Sequence, residues 1–511
     1  MKSSRIYKTI TAIGLIFCLL FILPSCEESV NEETTALEEE TTEAVLPGGS
    51  LSVPYLSEDS LNPFYSETVL NSSLSSLVFR SLYRLDTSFS PVKDLAVSES
   101  LSGQSLKVYF IEDLVFSDGG VLTGADIVYS FDCAKSSVRY SAALSGISSC
   151  SEASDGSVVF TLKNEDVNVL NALIFPIVKN GTAGNEGFLP IGNGFYQYSQ
   201  DGIRLSLKAN LKYAGTLPEI GTVRLTDVSR NTQPENLVAA QEIDFFYSDL
   251  SDGSITGVNT SGTGIYLNNL VYMGVNHSNV DLVLASFRQA ISLGIDRQAL
   301  SESAFRGYAR GAVVPFNTSW SGYSSSLSFA NVSLSGDKQK AQELLAERGF
   351  GVDGNPLNFT LVCNESNSFI RNTANEVASA LKSLNINVTV QFLSSEKLKS
   401  TVRSGLYDLY IAEIKLPSTM DLSAFFSYGG DASSGIIFDN CTSDEAYFSY
   451  KKGETGIDEF ITAFNKDMPF IPLVYRNGRF LYTRRIISEL TATEGFLYSD
   501  IYKWTFSDMI S

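Results

Sequence analysis

The chain has 511 residues, 44% of them hydrophobic, enough for a large core spread over two or three domain-sized units. Against 57 Asp and Glu stand 37 Lys and Arg, a formal charge of −20 that argues against nucleic acid as a partner. Its single histidine, His277, rules out an H-E-x-x-H motif and leaves one imidazole for any Ser-His-Asp arrangement, so metallohydrolase chemistry is disfavoured and no metal or other cofactor is expected.

Residues 1–25 open with Lys2, Arg5 and Lys8 and continue into an uncharged apolar stretch from Ile10 to Leu23. This is the layout of a secretory signal, and the run is shorter than the ~20 residues that span a bilayer comfortably. The border Leu23-Pro24-Ser25-Cys26 resembles the lipobox of bacterial lipoproteins. That resemblance implies a diacylated Cys26 as the mature N-terminus, holding an extracytoplasmic protein to the cell membrane. From Glu27 to Glu43 there are eight glutamates and no Lys or Arg, so residues 26–47 read as the lipidated cysteine followed by a self-repelling tether that cannot offset its ordering entropy.

After Pro47-Gly48-Gly49 the composition becomes globular and remains so. Alternation predicts strands at 49–54, 105–111, 158–162 and 203–209, and again at Ile386–Leu393. Three- and four-residue spacing predicts helices at Ala285–Leu300, Lys338–Arg348, which ends at Gly349, and Arg371–Leu384. Strands alternating with helices point to an α/β protein with mainly parallel sheets. Cys133, Cys150, Cys363 and Cys441 are too widely spaced for C-x-x-C; Cys133 with Cys150 is the candidate disulfide of an exported chain. Neither a G-x-S-x-G elbow nor a G-x-x-x-x-G-K-[ST] loop occurs, which disfavours a surface hydrolase and ATP binding.

Several stretches carry a family resemblance when taken in order. They are Ser60-Leu61-Asn62-Pro63-Phe64; Arg80 to Asp86; Phe116 to Ser130, FSDGGVLTGADIVYS; Pro190 to Tyr196, PIGNGFY; and Arg288-Gln289-Ala290-Ile291 with Ile295-Asp296-Arg297. Ala341 to Phe350, AQELLAERGF, and Met468 to Leu473, MPFIPL, complete the series. In the third stretch Asp118-Gly119 is a turn signal, and Thr123 with Asp126 imitates a capping box that opens a helix, so its role is structural. Together they resemble the family 5 extracellular solute-binding proteins, the peptide and nickel receptors of ABC importers.

The resemblance implies a two-lobed periplasmic-binding-protein-like fold of type II with a hinge, and no catalysis. Lobe I is expected at 48–268 plus 486–511, with an extra subdomain at 80–188, and lobe II at 269–485. A peptide or similar small solute would lie between the lobes of a monomer and pass to the permease subunits. The alternative is a surface lipoprotein that signals through a membrane partner. For a zwitterionic peptide, Arg371 is the candidate partner of the ligand carboxylate. The family's W-x-x-D-Y-x-D-P-like segment after its "YD" strand is replaced here: Tyr407-Asp408 is followed by no Trp, and Pro417 stands where the Asp belongs. Glu413 and Asp421 are the candidate substitutes for the amine partner. Tyr65, Glu67, Asn193, Tyr272 and Tyr475 are further cleft candidates, each tyrosine having a core aromatic as its alternative.

Overall fold

A computed structural model describes residues 48–324, 333–426, 442–486, 490, 493–498 and 500–507. Residues 1–47, with Cys26, lie outside the described residues, as does Cys441. The strands in chain order are β1 (Gly49–Tyr55), β2 (Tyr83–Leu85), β3 (Pro91–Lys93), β4 (Ala96–Ser102), β5 (Ser105–Phe110), β6 (Ile147–Glu152) and β7 (Val158–Leu162). Then come β8 (Tyr196–Asp201), β9 (Arg204–Ala209), β10 (Ile220–Asp227), β11 (Phe245–Ser248) and β12 (Ser261–Val275). The last are β13 (Ala309–Gly311), β14 (Leu357–Asn364), β15 (Ile386–Leu393), β16 (Leu409–Lys415) and β17 (Ile471–Tyr482).

They form four sheets: β1-β10-β9-β8, β2-β3, β4-β5-β7-β6, and a seven-stranded sheet β11-β17-β12-β16-β14-β15 with β13 added to β17. Among the strands of the described residues only β1–β10, β14–β15 and β14–β16 pair in parallel, so the expectation of mainly parallel sheets is corrected. The reason is local: β4–β5, β6–β7 and β8–β9 return through short connections, and the two longest strands, β12 and β17, run antiparallel.

β12 and β17 each change core along their length. Ile265 and Leu267 of β12 and Phe480 of β17 pack with Leu51, Phe116 and Trp504. Leu270 to Met273, and Ile471 to Tyr475, pack instead with Phe287, Leu361 and Phe460. The register of the pair slips between Tyr266 and Asn269, leaving Leu267 and Asn268 bulged between the cores.

The helix expected at 285–300 is interrupted. It forms as Ala285–Leu293 and Arg297–Ser303, because Gly294 closes the first piece and the Asp296 carboxylate accepts from Ala299 N–H at 2.9 Å to cap the second. Both motif arginines are buried and held by carbonyls. Arg288 donates to the carbonyls of Leu282, Val283, Asp467 and Met468. Arg297 donates to those of Ser292, Ile295, Ala312 and Pro472, and burial lowers its pKa to about 10.

The Phe116–Ser130 stretch builds as its residue types dictate. Gly119 adopts φ +95° in the turn. Thr123 N–H and hydroxyl both donate to Asp126 Oδ2 at 2.8 Å, opening the helix Gly124–Ser136. The other Asp126 oxygen accepts from Asn180 N–H at 2.8 Å, tying this helix to the following loop. In the Pro190–Tyr196 turn a Cβ on Gly192 would sit 2.1 Å from the Val78 carbonyl oxygen, so only glycine lets the two backbones meet. Cys133 and Cys150 are both free thiols, half-buried against the same core, so the candidate disulfide is not formed. Burial raises the Cys133 pKa and pushes that of Cys150 to about 12. Among the described residues no helix is long and apolar enough to cross a membrane.

Two outcomes are expected. Asp126→Ala strips the helix start and the Asn180 amide of a shared acceptor, and should cost about 1–3 kcal/mol in urea unfolding; an unchanged midpoint would contradict the double role. His277, whose Nε2 lies 2.8 Å from the Pro469 carbonyl oxygen, has its pKa lowered from 6.5 by burial and by Arg288 despite that bond. Its stabilising contribution is therefore complete above 6.5 and lost as pH falls through the lower folded value. As the chain's single histidine it can be followed by NMR, and a midpoint at or above 6.5 would overturn this.

Candidate functional site: a cavity between the two cores

A cavity of about 650 Å3 lies where the two cores face each other. Its wall is built by residues 66–89, 138–143, 174–176 and 494–496, among which Leu85, Phe89 and Phe496 pack with the second core, and by Asn268 in the β12 bulge and 415–418 at the end of β16. Phe79, Leu85, Phe89, Ile174, Leu416 and Phe496 supply apolar wall. Ser66, Ser72, Ser75, Ser76, Ser81 and Ser418 place short hydroxyls among them, and Glu67, Arg80, Arg139, Lys415 and Glu494 add charge.

Most of these charges are already matched. Arg80 is held by Asp94, with Nε to Oδ1 at 2.9 Å and Nη2 to Oδ1 at 2.8 Å. Lys415 pairs with Glu494 across the cavity. Glu67 and Arg139 are the exceptions: Glu67 has no ion pair among the described residues, and Arg139 Nη2 reaches the Thr68 carbonyl at 3.3 Å while its buried Nε has no partner there. Such a buried donor is costly unless something accepts from it.

The bulge in β12 is closed by side-chain amides. Asn268 Nδ2 donates to the carbonyls of Leu416 at 3.1 Å and Pro417 at 3.0 Å, and Asn317 Nδ2 donates to Leu267 O and Asn268 Oδ1. These bonds set the 415–418 segment against the cavity. Arg310 stacks on Tyr266 at 3.8 Å just before the bulge.

Further contacts cross from one side to the other. Val167 N–H donates to Lys451 O at 3.0 Å, Asn168 Nδ2 to the Tyr450 hydroxyl at 3.2 Å, and Ser321 N–H to Ser88 O at 3.0 Å. Asn171 and Ser418 exchange two bonds, at 3.1 and 2.7 Å. Lys451 Nζ lies between two carboxylates, 3.5 Å from Asp166 and 2.6 Å from Asp421. Burial raises the pKa of Asp166 in spite of Lys451. Burial also pulls on Asp421, but Lys451 and Ser423 outweigh it and leave that carboxyl below its ordinary value.

Of the eight candidate ligand residues, only Glu67 lines the cavity. Tyr65 is largely exposed, its hydroxyl donating to Gly184 O at 3.3 Å. Asn193 is buried under Arg80, accepting its backbone N–H at 3.2 Å. Tyr272 sits edge-on to Tyr410, Phe425 and Phe470 in the core, and Tyr475 is fully buried with its hydroxyl on Pro315 O at 2.6 Å. Arg371 turns back onto the Glu365 carbonyl at its own helix start. Glu413 is taken by Arg476, at 2.7 and 2.9 Å, and by Asn269 at 2.6 Å. Asp421 accepts from Tyr447, Ser423 and Lys451. Arg139, Lys415, Asn268 and the serines escaped the sequence reading, because they belong to no motif and are assembled only by the fold.

Comparison with known proteins agrees with this architecture. The family model described as "Bacterial extracellular solute-binding proteins, family 5 Middle" matches residues 90–435. The oligopeptide-binding protein AppA of Bacillus subtilis is 24% identical over 442 residues, 78% of each chain. Its structure in complex with a nonapeptide superposes with a TM-score of 0.59 at 21% identity, covering 90% of this chain and 99% of that one. NikA from Brucella suis in complex with Fe(III)-EDTA superposes with a TM-score of 0.68 at 18% identity, covering 90% and 100%. The fold is thus the two-lobed α/β fold of these receptors, and this chain belongs to the bacterial extracellular solute-binding proteins of family 5.

Proposed function

We propose that the chain is a lipid-anchored receptor that encloses a short peptide or similar small solute in the cavity between its cores and hands it to the permease of an ABC importer. The observation carrying this reading is the cavity itself: about 650 Å3, shared by both cores, within the ~300–1,000 Å3 typical of sites that bury a small molecule. The hydroxyls of Ser66, Ser72, Ser76, Ser81 and Ser418 already donate to Asp59, Val69, Ser73, Tyr83 and Asn171, so what they offer a ligand is an oxygen that can accept from its backbone N–H groups. For lobes at 48–268 plus 486–511 and at 269–485, the change of core between Leu267 and Leu270 supports the border at 268, while on β17 the change falls between Tyr475 and Phe480, ahead of 485. The antiparallel sheet β4-β5-β7-β6 lies inside the span assigned to the extra subdomain, 80–188.

With Arg371 and Glu413 engaged elsewhere, Arg139 is the better partner for a ligand carboxylate, since its unmatched Nε leaves one donor in need of an acceptor. At the amine end Glu67 is the carboxylate on the cavity wall that carries no ion pair among the described residues. The N-terminal anchor rests on Leu23 to Cys26 and the acidic run that follows.

A calorimetric and thermal-shift panel of di- to pentapeptides tests the receptor role. A ligand at 100 times its Kd should add about 2.7 kcal/mol to stability, and Arg139→Ala should weaken a free-acid peptide about tenfold or more while barely changing its C-terminal amide. No shift with any peptide would overturn the peptide reading, and equal losses for acid and amide would overturn the role of Arg139. Cys26→Ser should abolish labelling by fatty acid and release the protein from membranes; undiminished labelling would overturn the anchor.

A further inference from the structure

We propose that a smaller pocket beside the main cavity is a subsite for an acidic side chain of the ligand, with Arg84 as the residue that reads it; this rests on the peptide-receptor reading above. The pocket has a volume of about 230 Å3 and shares Ser76, Phe79, Arg80, Ser81 and Phe496 with the main cavity, so the two are separated by a single layer of residues. Its remaining wall includes Arg84 from β2, Asp94, and the aromatic rings of Phe195, Tyr213 and Tyr502.

Two guanidiniums face one carboxylate here, and that carboxylate is used up. Asp94 Oδ1 takes both Nε and Nη2 of Arg80, while Oδ2 accepts from Ser81 N–H at 3.3 Å. Arg84 is half-buried, acts electrostatically on the Tyr213 hydroxyl, and has no hydrogen bond or ion pair among the described residues. In a chain of net charge −20 a site with one surplus positive charge is unusual, and no neighbouring carboxylate on the wall cancels it.

The rings sharpen the chemistry. Phe195 packs on Tyr213 with centroids 4.6 Å apart and on Tyr502 at 5.8 Å, and Arg80 lies over Tyr213 at 5.7 Å. This stack lays an apolar wall along one side of the pocket, against which a charge pair is less screened than in open water. A guanidinium with free donors binds a carboxylate through two parallel bonds, and the same site leaves a carboxamide with mismatched hydrogens. The chemical class is therefore a peptide carrying Asp or Glu.

The test uses the full mature chain, wild type and Arg84→Gln, incubated with a degenerate tripeptide library, with retained peptides released and identified by mass spectrometry. Wild type should enrich Asp or Glu over Asn or Gln at one position by about tenfold or more, the scale of a hydrogen bond to a charged group. Arg84→Gln should erase that preference by lowering retention of the Asp and Glu peptides, with retention of the Asn and Gln peptides and the melting temperature little changed. Retention without acidic preference, or a preference that survives Arg84→Gln, overturns the subsite and leaves the receptor reading intact. If wild type retains no peptide at all, both are overturned.

Discussion

Two paired strands must serve two cores at once, and the rest of the molecule is arranged around that requirement. β12 and β17 begin in one hydrophobic core and end in the other, so any residue between Leu267 and Leu270 belongs fully to neither. A continuous ladder there would fix the halves as one slab. The bulge instead frees Leu267 and Asn268 from pairing, and Asn317 and the 416–417 carbonyls take up the polar groups the ladder no longer satisfies. The same substitution of side-chain amides for sheet bonds brings Asn268 and Lys415 to the cavity wall.

The arginines divide by what accepts from them. Arg288 and Arg297 donate to main-chain carbonyls and hold loop ends together. Arg476 is buried against Glu413, which keeps its charge despite desolvation. Arg80 is matched by Asp94. Arg84 and Arg139, both at pocket walls, keep donors with no counter-charge, whereas two further unmatched donors, Arg310 Nε and Arg476 Nη1, belong to guanidiniums already stacked on Tyr266 or paired with Glu413. A buried cation with no counter-charge is tolerated where carbonyl dipoles surround it, as at Arg297, and invites a ligand where they do not.

Legibility in the sequence followed locality. The Thr123–Asp126 box, the Gly119 turn, the glycine turn at 192–194 and the Ile386–Leu393 strand are set by residues a few positions apart, and each appears as read. The helix at 285–300 was legible as apolar periodicity, but that pattern does not see Asp296 competing as a cap, so the break was missed. Strand direction failed for a related reason: alternating strands and helices do not specify which connections are hairpins. The site was least legible. Arg371, Glu413 and Asp421 have the right chemistry, yet Glu365, Arg476 and Lys451 reach them first, and those partners are up to 63 residues away. Arg139 and the serines carry no motif and acquire meaning only when distant segments enclose a volume.

The contacts that reach across the cavity have a further consequence. Asn171 with Ser418, Asn168 with Tyr450, and Lys451 shared by Asp166 and Asp421 are polar groups whose partners water can replace with little loss. The halves thus adhere through polar bonds of low net worth, beside the few apolar side chains, Leu85, Phe89 and Phe496, that reach into the second core. In the receptor proposed above, a joint held largely by such bonds lets the contacts of a bound solute weigh in the balance between open and shut.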